Sequence, residues 1–516
     1  MTSAAAARLL GASIPNQDAV ALSDEDGSIT YRELSARVER VCRRLQSDGL
    51  TRGARIVYLG RASIESVVAM LAVQKANGIF VPINPKYGQE EISHILADCD
   101  AGEFWFEEQP KFLDALKASN ARPHSLRARS LKAVMSTASS SSSNEGEQTD
   151  SWPDDNDTAL LIYTSGTTGR SKGVALSYRA IFENIFSLTS SWGFHENDRL
   201  VLQLPLFHVH GLCIGLYGTL LHGMTALLSK KFDARNVVDA FAEDGATVFM
   251  GVPTMYALLL EYLDANPGAA EALAKARLFT SGSAPLPDRH FQRFASLTGC
   301  RILERYGMSE TLLTLSNPYD GERRPGTVGV PVKGCFCRLV NDEGDQVEDG
   351  ELGELWVKSN GMMTHYWRQP ETTTESFTDG WFRTGDVAKR SADGYFTLVG
   401  RKSTDIIKSG GFKISTREIE EVLSRHPDIR ELAVVGLPDP VWGEIVAAAI
   451  VPREPAHQRS SAQWLTELQA RCEDALADYK RPRIVFIREH LPRNALGKLQ
   501  KKILQVELQK EKGPVT

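Results

Sequence analysis

The sequence predicts an α/β fold with parallel sheet, divided into at least two domains, on three observations. Helical and strand-like patterns alternate from the N-terminus to about residue 400. At 516 residues the chain exceeds what one hydrophobic core supports. Its composition, 42% hydrophobic and 24% charged, is that of an ordinary globular protein.

The elements follow in order. "YRELSARVERVCRRLQSDG", Tyr31 to Gly49, places apolar residues at helical spacing and stops at glycine. "ARIVYLG", Ala54 to Gly60, reads as a strand, and "SIESVVAMLAVQKANG", Ser63 to Gly78, as a second helix. Ser136 to Asp157 holds five consecutive serines followed by acids, a composition that cannot bury a core, so it reads as a flexible surface loop. Leu212 to Leu228 is the most apolar stretch. Thr219, His222 and glycines interrupt it short of the ~20 residues of a membrane span, so it reads as a buried helix and strand. After Gly400, "RKSTDIIKSGGFKIS" mixes charge and glycine, and the alternation that follows suffices for a small second domain starting near Lys402.

Charge and cysteines narrow the function classes. A net charge of -6 argues against nucleic-acid binding, and the basic run "KLQKKILQVELQKEKG" reads as a solvated helix face. The seven cysteines are scattered and fit free thiols in a reducing compartment, with Cys335 and Cys337 alternating on a strand rather than ligating a metal. The cytoplasm is the expected location. "MTSAAAARLLGAS", with one arginine and no acid, keeps a mitochondrion or plastid as the alternative.

"YTSGTTGRSKG", Tyr163 to Gly173, carries the chemistry. A strand running into Ser, Thr and Gly with a lysine behind offers N–H groups, hydroxyls and a cation to a polyanion. Glycine lets the backbone approach closely, so phosphate is the natural guest. The common phosphate loop G-x-x-x-x-G-K-[ST] does not fit, because Ser171 and Gly173 stand where it needs glycine and a hydroxyl residue.

With "LPLFHVHG" (204–211), "ERYGMSET" (304–311), "GWFRTGD" (380–386), "GRKSTDIIKSGGFKIS" (400–415) and "PRNALGKLQKK" (492–502), that loop resembles the adenylate-forming superfamily of acyl-CoA synthetases, in the same motif order along essentially the whole chain. The resemblance implies a large multi-sheet N-terminal domain over 1–401, a hinge within 402–405, and a small mobile α+β C-terminal domain over 406–516. It implies ATP, Mg²⁺ and coenzyme A, with a small carboxylic acid as the other reactant. No feature calls for an obligatory protein partner or a membrane span.

The same resemblance assigns residues. Thr164, Ser165, Gly166, Thr167, Thr168, Gly169 and Lys172 form the phosphate loop, and Ser171 stands where proline is common. Glu310 holds the metal, Tyr306 and Gly307 face adenine, Asp386 takes the ribose, Arg401 is a second ribose or phosphate contact, and Lys498 is the catalytic lysine, with Thr168 and Glu310 as further catalytic residues. Ser409, Gly410, Gly411 and Lys413 line the pantetheine tunnel.

The acid itself is read from three cations. Arg305 precedes the tyrosine where acyl ligases for apolar acids commonly have glycine, His210 closes "LFHVH", and Arg277 precedes "LFTSGSAPLP". Guanidinium binds carboxylate bidentately and imidazole adds a donor, so the set suits an acid with a second carboxylate, malonate or methylmalonate. Ser283 and Met308 complete the acyl side. The alternatives are another short or aromatic acid (oxalate, acetate, a hydroxycinnamate) and a catalytically silent nucleotide-binding regulator. Retention of both Glu310 and Lys498 speaks against the last.

Overall fold

The computed structural model describes residues 4–9, 16–118, 126–137, 152–164, 171–402, 404–409, 412–453, 459–473, 475–493 and 499–512. The chain divides into two compact units, Met1–Cys337 with Val357–Phe382, and Arg338–Trp356 with Arg383–Thr516. The fold is mixed α/β, with a large N-terminal and a smaller C-terminal part. The contact division places Arg383–Lys402 in the second unit, earlier than the expected boundary at Lys402.

Two sheets build the first unit. One has seven strands, with Ile79–Ile83, Arg55–Leu59, Glu103–Phe106 and Arg127–Ser130 parallel, and Lys172–Ser177 antiparallel to Thr158–Thr164. The other has nine, with a parallel centre formed by Arg199–Leu202, Val248–Gly251, Leu278–Ser281 and Leu303–Met308. The helix Tyr31–Ser47 starts on a capping box between Thr30 and Glu33 and buries Leu34, Val38, Val41 and Leu45 along one face. Ile64–Lys75 is apolar nearly all round, and it packs on strands of both sheets. The expected helix and strand of 212–228 are a π-helical turn His210–Tyr217, a short helix Gly218–Leu221 and the strand Thr225–Leu228. Among the described residues no helix is long and apolar enough to cross a membrane.

The serine-rich segment departs from its expectation at both ends. Ser136 lies in the helix Leu131–Thr137, and Asp155 accepts hydrogen bonds from the N–H groups of Ala5 and Ala6. Asp157 receives the Arg52 guanidinium at 2.6 Å, so the acids anchor the chain just before the strand that leads into the glycine-rich loop. Residues 138–151 lie outside the described residues.

In the second unit a five-stranded sheet pairs Phe412–Ser415, Ile406–Ser409, Gly443–Pro452 and Ile429–Asp439, with Ile484–Ile487 added in parallel. Alternation along these strands feeds two cores. One holds Ile419, Leu423, Trp464 and Leu468, and the other takes Leu504 and Leu508 of the helix Lys501–Lys512.

Candidate functional site

The glycine-rich loop springs from a hairpin. Thr164 and Lys172 are register partners at its loop end, with Tyr163 opposite Gly173. Ser165 to Arg170, including Thr168, lie outside the described residues. Lys172 Nζ stands 5.4 Å from the centre of the Tyr366 ring. Tyr366 belongs to a two-residue strand, His365–Tyr366, paired with Val174 and Ala175, and Trp367 N–H donates to Gly173 O at 2.7 Å.

Tyr366 also reaches the other motif. Its hydroxyl donates to Glu310 Oε1 at 2.8 Å, and Met363 N–H donates to Glu310 O at 2.7 Å. Glu310 sits in the tight turn between Leu303–Met308 and Leu312–Ser316. That turn requires glycine at 307, because a Cβ there would lie 1.8 Å from Leu312 O. Leu313 is held from both sides by the Asn184 amide, donating to Oδ1 at 3.0 Å and accepting from Nδ2 at 2.8 Å. The lysine of one motif and the acid of another thus converge on Tyr366, in a "THYWR" stretch that offers no sequence signal of its own. A buried carboxylate that shares Tyr366 with Lys172 fits Mg²⁺, which takes one or two carboxylates and keeps the rest of its shell for phosphate and water. Tyr306 is buried in the same strand, its hydroxyl 3.8 Å from Met308 Sδ.

The three cations of the acyl reading separate. Arg277 spends its whole fork on structure: Nε and Nη2 bind Asp198 at 2.9 and 2.6 Å, Nη1 binds Trp192 O at 2.8 Å, and the group lies over Tyr319. The expectation that it shares the acyl pocket therefore drops out, since each of its three nitrogens already holds a structural partner.

Arg305 is the opposite case. It is 5% exposed, and its Nε and Nη2 have no hydrogen-bond partner among the described residues. Its neighbour Glu304 accepts instead from the N–H groups of Gly326 and Leu286. Burial pushes the Arg305 guanidinium down to about 10. His210 is buried beside it, with Nδ1 3.3 Å from Ser283 Oγ and Nε2 unpartnered among the described residues. Burial first, then the Arg305 and His208 charges, holds His210 well below the ordinary histidine range. Ser283 adopts φ 67° and is exposed, so the arginine and the imidazole open outward at the serine. Buried charge without a partner is costly, and an anionic guest supplies the missing partner.

The second unit holds its own set. Asp386 and Arg401 are register partners on adjacent strands and form an ion pair at 2.7 Å, with Arg401 Nη1 donating to Thr384 O. Ser409 is buried where its hairpin meets Gly443, and Gly410 and Gly411 lie outside the described residues. Lys413 pairs in register with Lys408. Around this hairpin the sequence reading missed an aromatic face: Phe412, 51% exposed, stacks on Tyr479 at 4.2 Å, and Arg483 covers the half-exposed Trp442. Lys498 lies outside the described residues.

The family model "AMP-binding enzyme" matches residues 13–367, and "AMP-binding enzyme C-terminal domain" matches 418–498. The chain is 35% identical to a malonate–CoA ligase of Arabidopsis thaliana, covering 96% of this chain and 87% of that one. It is 33% identical to an indoleacetate–CoA ligase of Aromatoleum aromaticum, covering 94% of each. ATP-bound MatB from Rhodopseudomonas palustris superposes with a TM-score of 0.88 at 33% identity, covering 99% of this chain and 100% of that one.

Proposed function

We propose malonate as the acid, from the premise that the chain belongs to the AMP-binding enzyme family and is an acid–thiol ligase. ATP and coenzyme A are the family's co-substrates. The observation that carries malonate is the buried guanidinium of Arg305, whose Nε and Nη2 have no hydrogen-bond partner among the described residues, beside His210, which burial holds well below the ordinary histidine range. An indoleacetate-type acid would leave that charge unanswered, whereas a second carboxylate pairs with the guanidinium fork and accepts from the imidazole. Methylmalonate fits the same receptor with one added methyl, a change worth about 1–3 kcal/mol in a pocket.

In this reading one malonate carboxylate rests on Arg305 and His210, and an oxygen of the other attacks the α-phosphorus of ATP. Pyrophosphate leaves and malonyl-AMP forms. The thiol sulfur of coenzyme A, giving up its proton, then attacks the acyl carbon, and AMP leaves with the pair of electrons of the broken C–O bond. Lys172, Thr164 and the loop between them bear on the phosphates, and Glu310, fixed by Tyr366, would hold Mg²⁺. The ion, when bound, neutralises phosphate charge. Asp386 accepts from the ribose hydroxyls, and Lys498 stabilises charge in the adenylation step. We assign coenzyme A to the hairpin around Ser409 and to the exposed faces of Phe412 and Trp442, whose rings suit the adenine and whose neighbour Arg483 suits its phosphates.

Pyrophosphate release from ATP, with Mg²⁺ and coenzyme A present, tests the assignment across malonate, methylmalonate, acetate, oxalate, coumarate and indoleacetate. Malonate is expected to exceed acetate in kcat/KM by about 10³-fold or more, because a monocarboxylate leaves buried donors unpaired. A preference for acetate or for an aromatic acid rejects malonate while leaving the ligase chemistry in place.

A further inference from the structure

We propose that the helix Gln89–Asp98 is a clamp on the two strand ends from which the glycine-rich loop springs, with His94 as its positioning residue. His94 and Asp98 stand four residues apart, so their side chains leave one face of the helix. His94 Nε2 lies 2.9 Å from the carbonyl oxygen of Ser171, the residue immediately before Lys172. A carbonyl only accepts, so Nε2 carries the hydrogen. Asp98 Oδ2 accepts from the Tyr163 hydroxyl at 2.6 Å, and Tyr163 is the residue immediately before Thr164. One helix face therefore grips the chain at Tyr163, just before the loop begins, and at Ser171, just before its lysine.

The grip has a rigid seat. Glu91 accepts from the N–H of Gly88 at 2.8 Å and closes the first turn, while Ile92, Ile95 and Leu96 join one core with Tyr163 and Ala175. Burial raises the Tyr163 phenol far above its ordinary range, so it remains the donor to Asp98. Its ring lies under Gly173, where a Cβ would come within 3.2 Å of Tyr163 Cζ. Ser171 has no ring of its own to fix φ, so the bond to His94 sets the orientation of the peptide that delivers Lys172. The proposal rests on the reading of this loop as the triphosphate site, and it adds that His94 acts on ATP without touching it.

Calorimetric titration of MgATP and, separately, AMP into full-length wild type, His94→Ala, His94→Gln and Lys172→Ala tests it with no acid present. His94→Ala should weaken MgATP about 5–10-fold, the worth of one hydrogen bond, and leave AMP within about twofold, since AMP lacks the outer phosphates. His94→Gln, whose side-chain amide can donate from nearly the same place, should recover most of the loss. Asp98→Asn, which keeps the size of the carboxylate and weakens its hold on Tyr163, should repeat the His94→Ala pattern more mildly. Equal weakening of ATP and AMP, or a His94→Ala affinity for MgATP equal to wild type while Lys172→Ala is impaired, overturns the clamp. If Lys172→Ala also binds MgATP normally, the triphosphate reading of the loop fails and the clamp falls with it.

Discussion

Arg277, half-buried, and Arg305, buried, are two arginines of one unit that end in opposite states. Arg277 closes a fork on Asp198, whose side chain is 0% exposed, and caps the carbonyl of Trp192. Arg305 lies against Gly282, and two of its nitrogens have no partner among the described residues. The first geometry is complete without a ligand and the second is not. Residue type and burial alone therefore do not mark a binding cation. The unmade hydrogen bonds do.

The largest expected effect breaks the complete half of the comparison. Arg277→Met strands the buried Asp198 carboxylate, and breaking a buried pair costs about 3–5 kcal/mol. The urea midpoint of the unit's unfolding transition should fall sharply, while the malonate-to-acetate ratio of kcat/KM stays at its wild-type value in the folded enzyme. A loss of that ratio with stability intact would return Arg277 to the acyl pocket.

Arg305→Met is the mirror image. Removing a buried cation that has no partner should leave stability unchanged or raise it. Malonate kcat/KM should fall by about 10²-fold or more, with acetate far less affected. Lysine should not rescue it, because the planar fork is lost with the guanidinium. A variant that loses stability and keeps its preference for malonate would make Arg305 a structural residue.

Why the sequence pointed to both arginines is a matter of distance along the chain. Asp198 precedes Arg277 by 79 positions, so nothing local announces their pairing. The same limit hid Tyr366, 56 positions from Glu310, and His94, 77 from Ser171. What was legible is local. The capped helix at Tyr31, the largely apolar helix at Ile64 and the strand before the glycine-rich loop follow from periodicity and turn chemistry. The motifs were legible because each is a short run whose backbone needs, such as glycine at 307, leave marks in the sequence. The acids of 152–157 misled because composition suggested a solvated loop, whereas Arg52 and two backbone N–H groups from the N-terminal helix satisfy them.

A third test concerns His210, and it is read as pH dependence. Its folded state resists protonation, so below the ordinary histidine value the unfolded chain binds more protons and stability falls as pH falls. The loss sets in below about pH 6.5, the ordinary histidine value, and grows as pH falls further. His208, lowered by burial to about 4, contributes in the same direction. His210→Gln removes one share, so the stability of wild type relative to the variant should fall from pH 7 to 5. Parallel stability curves would mean that His210 protonates freely in the fold and is not the neutral donor of the acyl receptor.

The smallest change sharpens the comparison furthest, because it moves Arg305 without altering it. A Cβ at position 282 would lie 2.4 Å from Arg305 Cζ and 2.5 Å from its Nε, while the glycine has no positive φ that alanine would resist. The atoms in the way are the end of a flexible side chain, so in Gly282→Ala the guanidinium swings aside and the backbone keeps its place. Stability should therefore stay near wild type, and malonate kcat/KM should fall about tenfold, the order of cost expected when a charge-assisted hydrogen bond loses its alignment. Acetate turnover should hold, since it does not use the displaced group. The corresponding insertion beside Arg277, Gly193→Ala, meets a positive φ of 62° and lies 3.7 Å from Nη1, so there the cost should appear as strain in folding with the malonate-to-acetate ratio untouched. If Gly282→Ala lowers malonate and acetate together, the space beside Gly282 serves the shared adenylation geometry, and the second carboxylate is bound elsewhere.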